Sequence, residues 1–397
     1  MKKILLLLFL TTGIVLILLF SFKDDEIPSF VNKNLVEVEE YCNKYKINLE
    51  VEKTYDVNVE ENKVINQEFL DDNTLKITLS LGKNKSELYE KFQVNELGNV
   101  PIMMYHGIQN ITDNKYTGGN IDIAGYQRTA KAFKEDLEFY YQNNYRMIRL
   151  IDYVNGIIDV KLGYSPIILT FDDGLSNNIK VLGRDDSSKL IIDPNSAVGI
   201  LEEFKNKYPD YNITATFFIN SNLFNQSEYN EEILLWLIKH NYDIGNHTTT
   251  HTSLASTTKE QTIKEIGKQY EKLEHIIGNK YVPIVALPFG EPYSKTHQNF
   301  QYILEGTYNN KKSYKTESLL RVGWESELSP FHKNFDKTYL KRIRAYDNNG
   351  ADFDIKYNFN ILNKTKYISD GNKDTIVVKD KDKDLISPNN NLEIITY

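Results

Sequence analysis

The heptapeptide ILTFDDG, Ile168–Gly174, is apolar until it ends on two adjacent carboxylates and a glycine. Two acids side by side repel unless something positive lies between or beside them. Further along, HTTTH places His247 and His251 four residues apart. On an extended strand, positions i and i+4 are roughly 13 Å apart. Across a helical turn they are about 6 Å apart and face one way. Where a strand gives way to a turn, both imidazoles can therefore reach one cation. A carboxylate from a neighbouring loop would complete an Asp-His-His set. Three protein ligands leave one position open for water, as in catalytic rather than structural zinc sites. A divalent cation at one carboxylate also cancels the repulsion and lets the second stay ionised beside it. Successive strand residues point to opposite sides, so Asp172 and Asp173 divide the work unless the backbone twists. One acid would bind the metal and the other would handle protons. Asp with two histidines suits several divalent ions: Zn2+ first, with Co2+ and Ni2+ as alternatives. Each motif alone is common in ordinary turns. Their joint occurrence at the ends of two apolar strands is what points to chemistry.

Such residues meet only if their strands end on one edge. PIMMYHG, YRMIRL, SPIILTFDDG, ITATFFIN, YDIGNH, PIVALPFG and SLLRVGW read as strands. The continuous apolar run before Asp172 suits a strand covered on both faces. Between the strands, AFKEDLEFYYQNN places Phe133, Leu137, Tyr140 and Tyr141 on one helical face. AVGILEEFKNKY and EEILLWLIKHN read as further helices. A capping-box pattern at Thr257 and Glu260 opens a helix carrying Ile263, Ile266, Tyr270, Leu273 and Ile277, stopped at Gly278. Repeated β-α alternation predicts a parallel sheet, closed or open, with its active site at the carboxyl ends of the strands. His106 ends PIMMY on that edge with Tyr105 beside it; it fits a site-lining group and a core histidine equally. Lys180–Ser196 reads as a long polar loop, and the charged tail as short β pieces and turns.

The chain has 397 residues, a net charge of −8 and a pI near 5.6, and no basic stripe stands out. A nucleic-acid partner is therefore disfavoured. One cysteine, Cys42, rules out an intramolecular disulfide. Lys2 and Lys3 precede an uncharged apolar run, Ile4–Phe22, followed by KDDE. Its length approaches that of a bilayer span, and its end lacks a small-x-small cleavage site. Residues 1–22 are thus expected to anchor the chain in the membrane with the remainder outside the cytoplasm, or to be secreted if cleaved. Residues 32–83 read as a small α+β module in the order helix, strand, short strand, strand. KVINQEF and TLKITLSLGK within it resemble a PASTA domain, an extracellular module associated with peptidoglycan. A plain α+β spacer fits the same pattern.

LTFDDG, ATFFI, IGNHTTTH and LPFG, in this order, resemble the polysaccharide deacetylases of carbohydrate esterase family 4. The resemblance covers residues 98–397 and implies a distorted (β/α) barrel of about seven strands. PIMMYHGI resembles the branch acting on exported or wall polysaccharides. By resemblance, Asp172 is the general base, and Asp173, His247 and His251 are the metal ligands. Thr248 and Thr252 would buttress the histidine loop. Phe289 would offer a backbone N–H to the oxyanion, and Trp324, His106 and Tyr105 would contact substrate. His332 in LSPFH stands where the leaving-group acid is expected. The family's motif Arg-x-Pro-x-Gly reads ALPFG here, so Ala286 replaces the arginine that orients the base. Either Arg321 or Arg149 holds Asp172 instead, or activity is weak. The implied function is metal-dependent removal of N-acetyl groups from an extracellular amino-sugar polymer, peptidoglycan or a poly-N-acetylglucosamine type. The alternatives are an impaired polysaccharide-binding barrel and an O-acetyl esterase.

Overall fold

The computed structural model describes residues 28–71, 73–83, 85–111, 122–123, 125–309 and 312–397. The apolar run Ile4–Phe22 lies outside them. Among the described residues no helix is long and apolar enough to cross a membrane. The chain divides into two compact units, Met1–Leu88 and Tyr89–Tyr397.

The first unit contains helix α1 (Leu35–Tyr45) and strands β1 (Asn48–Thr54), β2 (Val64–Asp71) and β3 (Thr74–Ser80). The sheet order is β1-β3-β2, with β1 parallel and β2 antiparallel to the central β3. β3 carries the alternation TLKITLS, so Leu75, Ile77 and Leu79 meet Val38 and Cys42 of α1 in a small core. The element order matches the sequence expectation, but β2 has eight residues and is no shorter than its neighbours. Helix α2 spans Lys85–Phe92.

The second unit is built on strands β4 (Ile102–Tyr105), β7 (Tyr145–Met147), β8 (Ser165–Phe171), β11 (Thr216–Ile219), β12 (Asp243–Asn246), β13 (Ile284–Ala286), β16 (Ser318–Leu320), β17 (Tyr339–Leu340) and β18 (Ile343–Arg344). The sheet runs β17-β16-β13-β12-β11-β8-β4-β18, and β7 pairs with the first half of β8. Every pairing is parallel. All seven residues of β8 are buried, as a strand covered on both faces requires. The path holds eight strands where about seven were expected. Its two edges, β17 and β18, are the ends of one run, Tyr339–Arg344. That run bonds first to β16 and then to β4. The curled sheet therefore returns to its starting strand through Lys341 and Arg342.

Helices α3 (Ala130–Gln142), α4 (Leu150–Val154), α5 (Ala197–Lys207), α6 (Asn230–Lys239), α7 (Lys259–Ile277), α8 (Phe300–Leu304) and α9 (Ile355–Thr365) complete the unit. α7 opens one residue later than the sequence pattern suggests. Its capping box is Thr258 with Gln261, not Thr257 with Glu260. Thr257 instead hydrogen-bonds the Leu254 carbonyl and the Thr262 hydroxyl. The segment read as a polar loop, 180–196, contains a hairpin of β9 (Val181–Arg184) and β10 (Leu190–Ile192). Its weak alternation sits among Asp, Ser and Lys, which hid it. Among the described residues three further short pairs stand apart: β14 (Glu305–Tyr308) with β15 (Lys312–Lys315), antiparallel, and β5 (Gly107–Gln109) with β6 (Gln127–Thr129) and β19 (Thr375–Val378) with β20 (Glu393–Thr396), both parallel. A buried carboxyl group, that of Glu96, ties the start of the unit to this tail. It accepts from the Tyr367 hydroxyl and the Val377 N–H, each at 2.7 Å, and from the Asp370 N–H at 3.2 Å.

Candidate metal and catalytic site

β8, β11, β12 and β13 end together, and their following turns carry the polar residues. Asp173, Thr248, His251 and Phe289 all have positive φ, 76°, 62°, 57° and 58°. A β-branched threonine in that region is uncommon and costly, and it persists here because the turn is tied on every side. Asn246 accepts from the Thr248 N–H and donates to the Ile266 carbonyl. The Thr248 hydroxyl accepts from the His251 N–H at 3.0 Å. Glu265 of α7 accepts from Thr249 through its carbonyl and from the Thr250 N–H through its carboxylate. Among the described residues, the Thr252 hydroxyl meets the hydroxyl of Thr250.

This turn folds the two imidazoles onto one carboxylate oxygen. Asp173 Oδ1 lies 3.2 Å from Nε2 of His247 and 3.2 Å from Nε2 of His251. The three groups each offer a ligand atom within 4.8 Å of the others. The ring chemistry fits a cation there. Nδ1 of His247 sits 2.8 Å from the Ala286 carbonyl, which can only accept, so the proton is on Nδ1. Nε2 of the neutral ring then presents a lone pair to a carboxylate oxygen. Two acceptors face each other, and only a proton or a metal ion between them resolves the contact. Electrostatics report the same need. Burial disfavours the charged form of both groups, yet the contacts between them raise the His247 pKa and hold Asp173 far below the usual carboxylate range.

Asp172 points the other way, and the left-handed turn at Asp173 supplies the twist that separates the two acids. Asp172 is buried and forms a two-pronged pair with Arg342: Nη1 to Oδ1 at 2.8 Å and Nη2 to Oδ2 at 2.7 Å. Arg342 is wholly buried. Its remaining donors reach the Arg321 carbonyl and the Thr170 hydroxyl. Burial pushes the Asp172 carboxyl up, and the guanidinium more than offsets it, so the net shift is downward. The expectation that Arg321 or Arg149 would hold Asp172 is corrected. Arg149 pairs with Asp243, and the guanidinium of Arg321 lies over the Tyr339 ring. Sequence reasoning missed Arg342 because its segment, YLKRIRAY, carries no acid or histidine to mark it. Only the closure of the sheet aims it inward.

The other sequence candidates divide. His106 is near the carboxylates: its ring feels Asp172, Asp173 and His247, although burial sets its net pKa shift, which is downward. Its Nδ1 is buried without a hydrogen-bond partner among the described residues. Phe289 is 56% exposed, with its ring edge-on to His251 at 4.8 Å. Trp324 is exposed in the turn after β16. Its neighbour Gly323 lies so close to the Arg342 backbone that a Cβ there would stand 2.5 Å from the Arg342 carbonyl. Tyr105 is corrected to a core residue. It is buried, and its hydroxyl bonds Asp136 and Tyr140 in the interior. His332 is also corrected. It lines a separate cavity of about 850 Å³ with Phe331, Phe335 and Asn389, and none of the Asp172, Asp173, His247 or His251 set belongs to that lining.

Similarity to known proteins is confined to the second unit in the family comparison. Residues 159–303 match the model described as Polysaccharide deacetylase. No curated protein matches the chain. Among solved structures, the Streptococcus pyogenes deacetylase PplD, in complex with acetate, is 15% identical. That match covers 64% of this chain and 94% of PplD, with a TM-score of 0.46. A de-N-acetylase from Aggregatibacter actinomycetemcomitans is 12% identical over 62% of this chain and 95% of its own, with a TM-score of 0.41. The peptidoglycan deacetylase PdaC from Bacillus subtilis is 25% identical over 32% of this chain and 50% of its own, with a TM-score of 0.23. The matched segment contains Asp172, Asp173, His247 and His251 at its strand ends, and over that segment the chain is similar to the polysaccharide deacetylase family.

Proposed function

We propose that the protein is a metal-dependent N-deacetylase of an extracellular amino-sugar polymer, peptidoglycan or a poly-N-acetylglucosamine type. The observation that carries this reading is the pairing of an Asp173–His247–His251 cluster with a separate buried carboxylate held ionised by Arg342. Asp173, His247 and His251 would hold a divalent cation, which supplies Lewis-acid polarisation and lowers the pKa of water. Asp172 takes the proton from the attacking water, and the Arg342 fork keeps its carboxylate charged and oriented. The backbone N–H of Phe289 donates to the oxygen that becomes negative in the tetrahedral state. Asp172 then returns its proton to the departing nitrogen as the C–N bond breaks. A carboxyl with a depressed pKa is a strong acid once protonated, so this step needs no second residue and does not call on His332. His106, at the end of β4 beside Asp172, would border the acetamide.

Arg342 removes the reason for favouring an impaired barrel, since the orienting guanidinium lost at position 286 is supplied from the sheet closure. The apolar run Ile4–Phe22 supports placing the enzyme at the outer face of the membrane. The first unit would then act as a spacer or a wall-binding module.

Acetate release from acetylated chito-oligosaccharide and from peptidoglycan tests the reading directly. Metal-loaded protein is expected to release acetate from at least one, and chelation should abolish it, with recovery on adding Zn2+ or Co2+. Full activity after chelation, or undiminished turnover by Asp172→Asn, would end the proposal. Release from acetylated xylan alone would move it to O-acetyl chemistry.

A further inference from the structure

We infer that Tyr126 is a fixed stacking platform for a sugar ring of the substrate, next to the ring that is deacetylated. The inference rests on the deacetylase reading of the site and names how that site grips a chain of sugars.

Register places the ring. β5 and β6 pair in parallel with Gly107 opposite Gln127. The preceding residues, His106 and Tyr126, therefore lie opposite one another. Their rings meet edge-on with centroids 5.5 Å apart. Tyr126 is thus one ring's width from His106, which follows β4 where Tyr105 stands opposite Phe171 and its carbonyl accepts from the Asp172 N–H. A pyranose spans about that distance, so the sugar over Tyr126 neighbours the one whose acetamide reaches the metal ligands. Tyr126 remains 52% exposed. An exposed aromatic face offers apolar contact to the C–H face of a sugar while its hydroxyl stays wet.

The platform is braced from below. Arg344, at the end of β18, has its guanidinium 5.3 Å from the Tyr126 ring centre and 5.6 Å from that of Tyr346. Gly125, with φ of +76°, makes room for this contact: a Cβ there would stand 2.1 Å from Arg344 Cδ. The turn carrying Tyr126 is locked as well. The Asp122 carboxylate accepts from the N–H and hydroxyl of Thr129, at 2.7 and 2.9 Å, and the Asp122 N–H donates to the Gln127 carbonyl. Arg128 is buried between Asp136 and Asp347. Binding to a ring already held in place forfeits little conformational entropy, which is where a preorganised contact gains affinity. Tyr293, 68% exposed, stands near enough for its hydroxyl to feel Tyr126 and Glu291, although burial is the larger influence on it.

Binding is separated from catalysis by working in the full-length Asp172→Asn background, loaded with Zn2+. Calorimetric titration with N-acetylchitohexaose should show that adding Tyr126→Ala weakens binding about tenfold, the equivalent of one aromatic contact. Tyr126→Phe and Tyr126→Trp should keep the affinity within about twofold. Gly125→Ala, which displaces Arg344 without touching the tyrosine, should weaken it as Tyr126→Ala does. Circular dichroism should show all variants folded. Equal dissociation constants with and without the Tyr126 ring, or no binding of the hexasaccharide, would overturn the inference. Hexasaccharide binding that depends on Tyr126, in a protein whose wild type releases no acetate, would instead sink the deacetylase reading and leave the platform standing.

Discussion

Asp172 is buried yet ionised, and Arg342 is what makes those two properties compatible. Removing one partner of such a pair leaves an uncompensated charge in the interior. Arg342→Met should therefore lower kcat by about 10²–10³-fold with a smaller change in KM. It should also destabilise the protein by about 3 kcal/mol or more. Steady-state acetate release and thermal melting check the two effects separately. Arg342→Lys should recover stability better than activity, because an ammonium cannot reproduce the two-pronged fork. The pH profile gives a further readout. With the guanidinium gone, burial acts unopposed and raises the Asp172 pKa. The acid limb of kcat/KM should then move to higher pH. A limb that stays in place would show that something other than Arg342 keeps the base charged.

At the scale of elements, the Asp173–His247–His251 cluster depends on a turn that α7 holds from behind. The carboxylate of Glu265 holds the Thr250 N–H, and its carbonyl holds Thr249. Glu265→Ala removes only the first of these. It should cost about tenfold in Zn2+ affinity, measured by competition with a chelator, through looser placement of His251. The fold should survive, because the Thr249 contact is made by backbone. Unchanged affinity would mean that Asn246 and Thr248 suffice to set the turn. α7 itself was legible in sequence: its apolar residues repeat at threes and fours and Gly278 ends it. Its start was misjudged by one residue, since two threonines stand side by side and either can cap. The β9–β10 hairpin was not legible, because neither strand carries an apolar alternation long enough to outweigh its charged turn.

At the scale of the whole second unit, Glu96 couples the beginning of the chain segment to its tail. Burial, reinforced by Asp370, pushes its pKa up to about 8, against the three donors that favour the charged form. In the unfolded chain the same group titrates near the ordinary glutamate value of about 4.3. Between those two values the folded state holds the extra proton. Stability is therefore greatest below the unfolded value and is lost as pH rises through about 8. The unfolding free energy should fall between about pH 5 and pH 8 by a few kcal/mol. Glu96→Gln should flatten that slope, at the cost of the hydrogen bond from Val377. Chemical denaturation across the pH range decides it. A wild-type slope that survives the substitution would assign the titration elsewhere.

The Asp173–His247–His251 cluster and the neighbouring Asp172 carboxylate were legible from the chain alone because each is a local pattern. An apolar strand delivers two acids to its end, and a four-residue spacing brings two imidazoles to one side of a turn. The parallel α/β class followed from alternation, which is also local. Three assignments needed the folded molecule. Arg342 reaches Asp172 only because one run bonds to both edges of the sheet and turns its interior residue toward a strand 170 positions away. Tyr105 and His332 were placed by their neighbours in sequence, whereas which side of a strand faces the core, and which cavity a turn borders, are settled by packing. Chemistry carried within a few residues is written in their spacing; a partner supplied across the barrel is chosen by where the sheet closes.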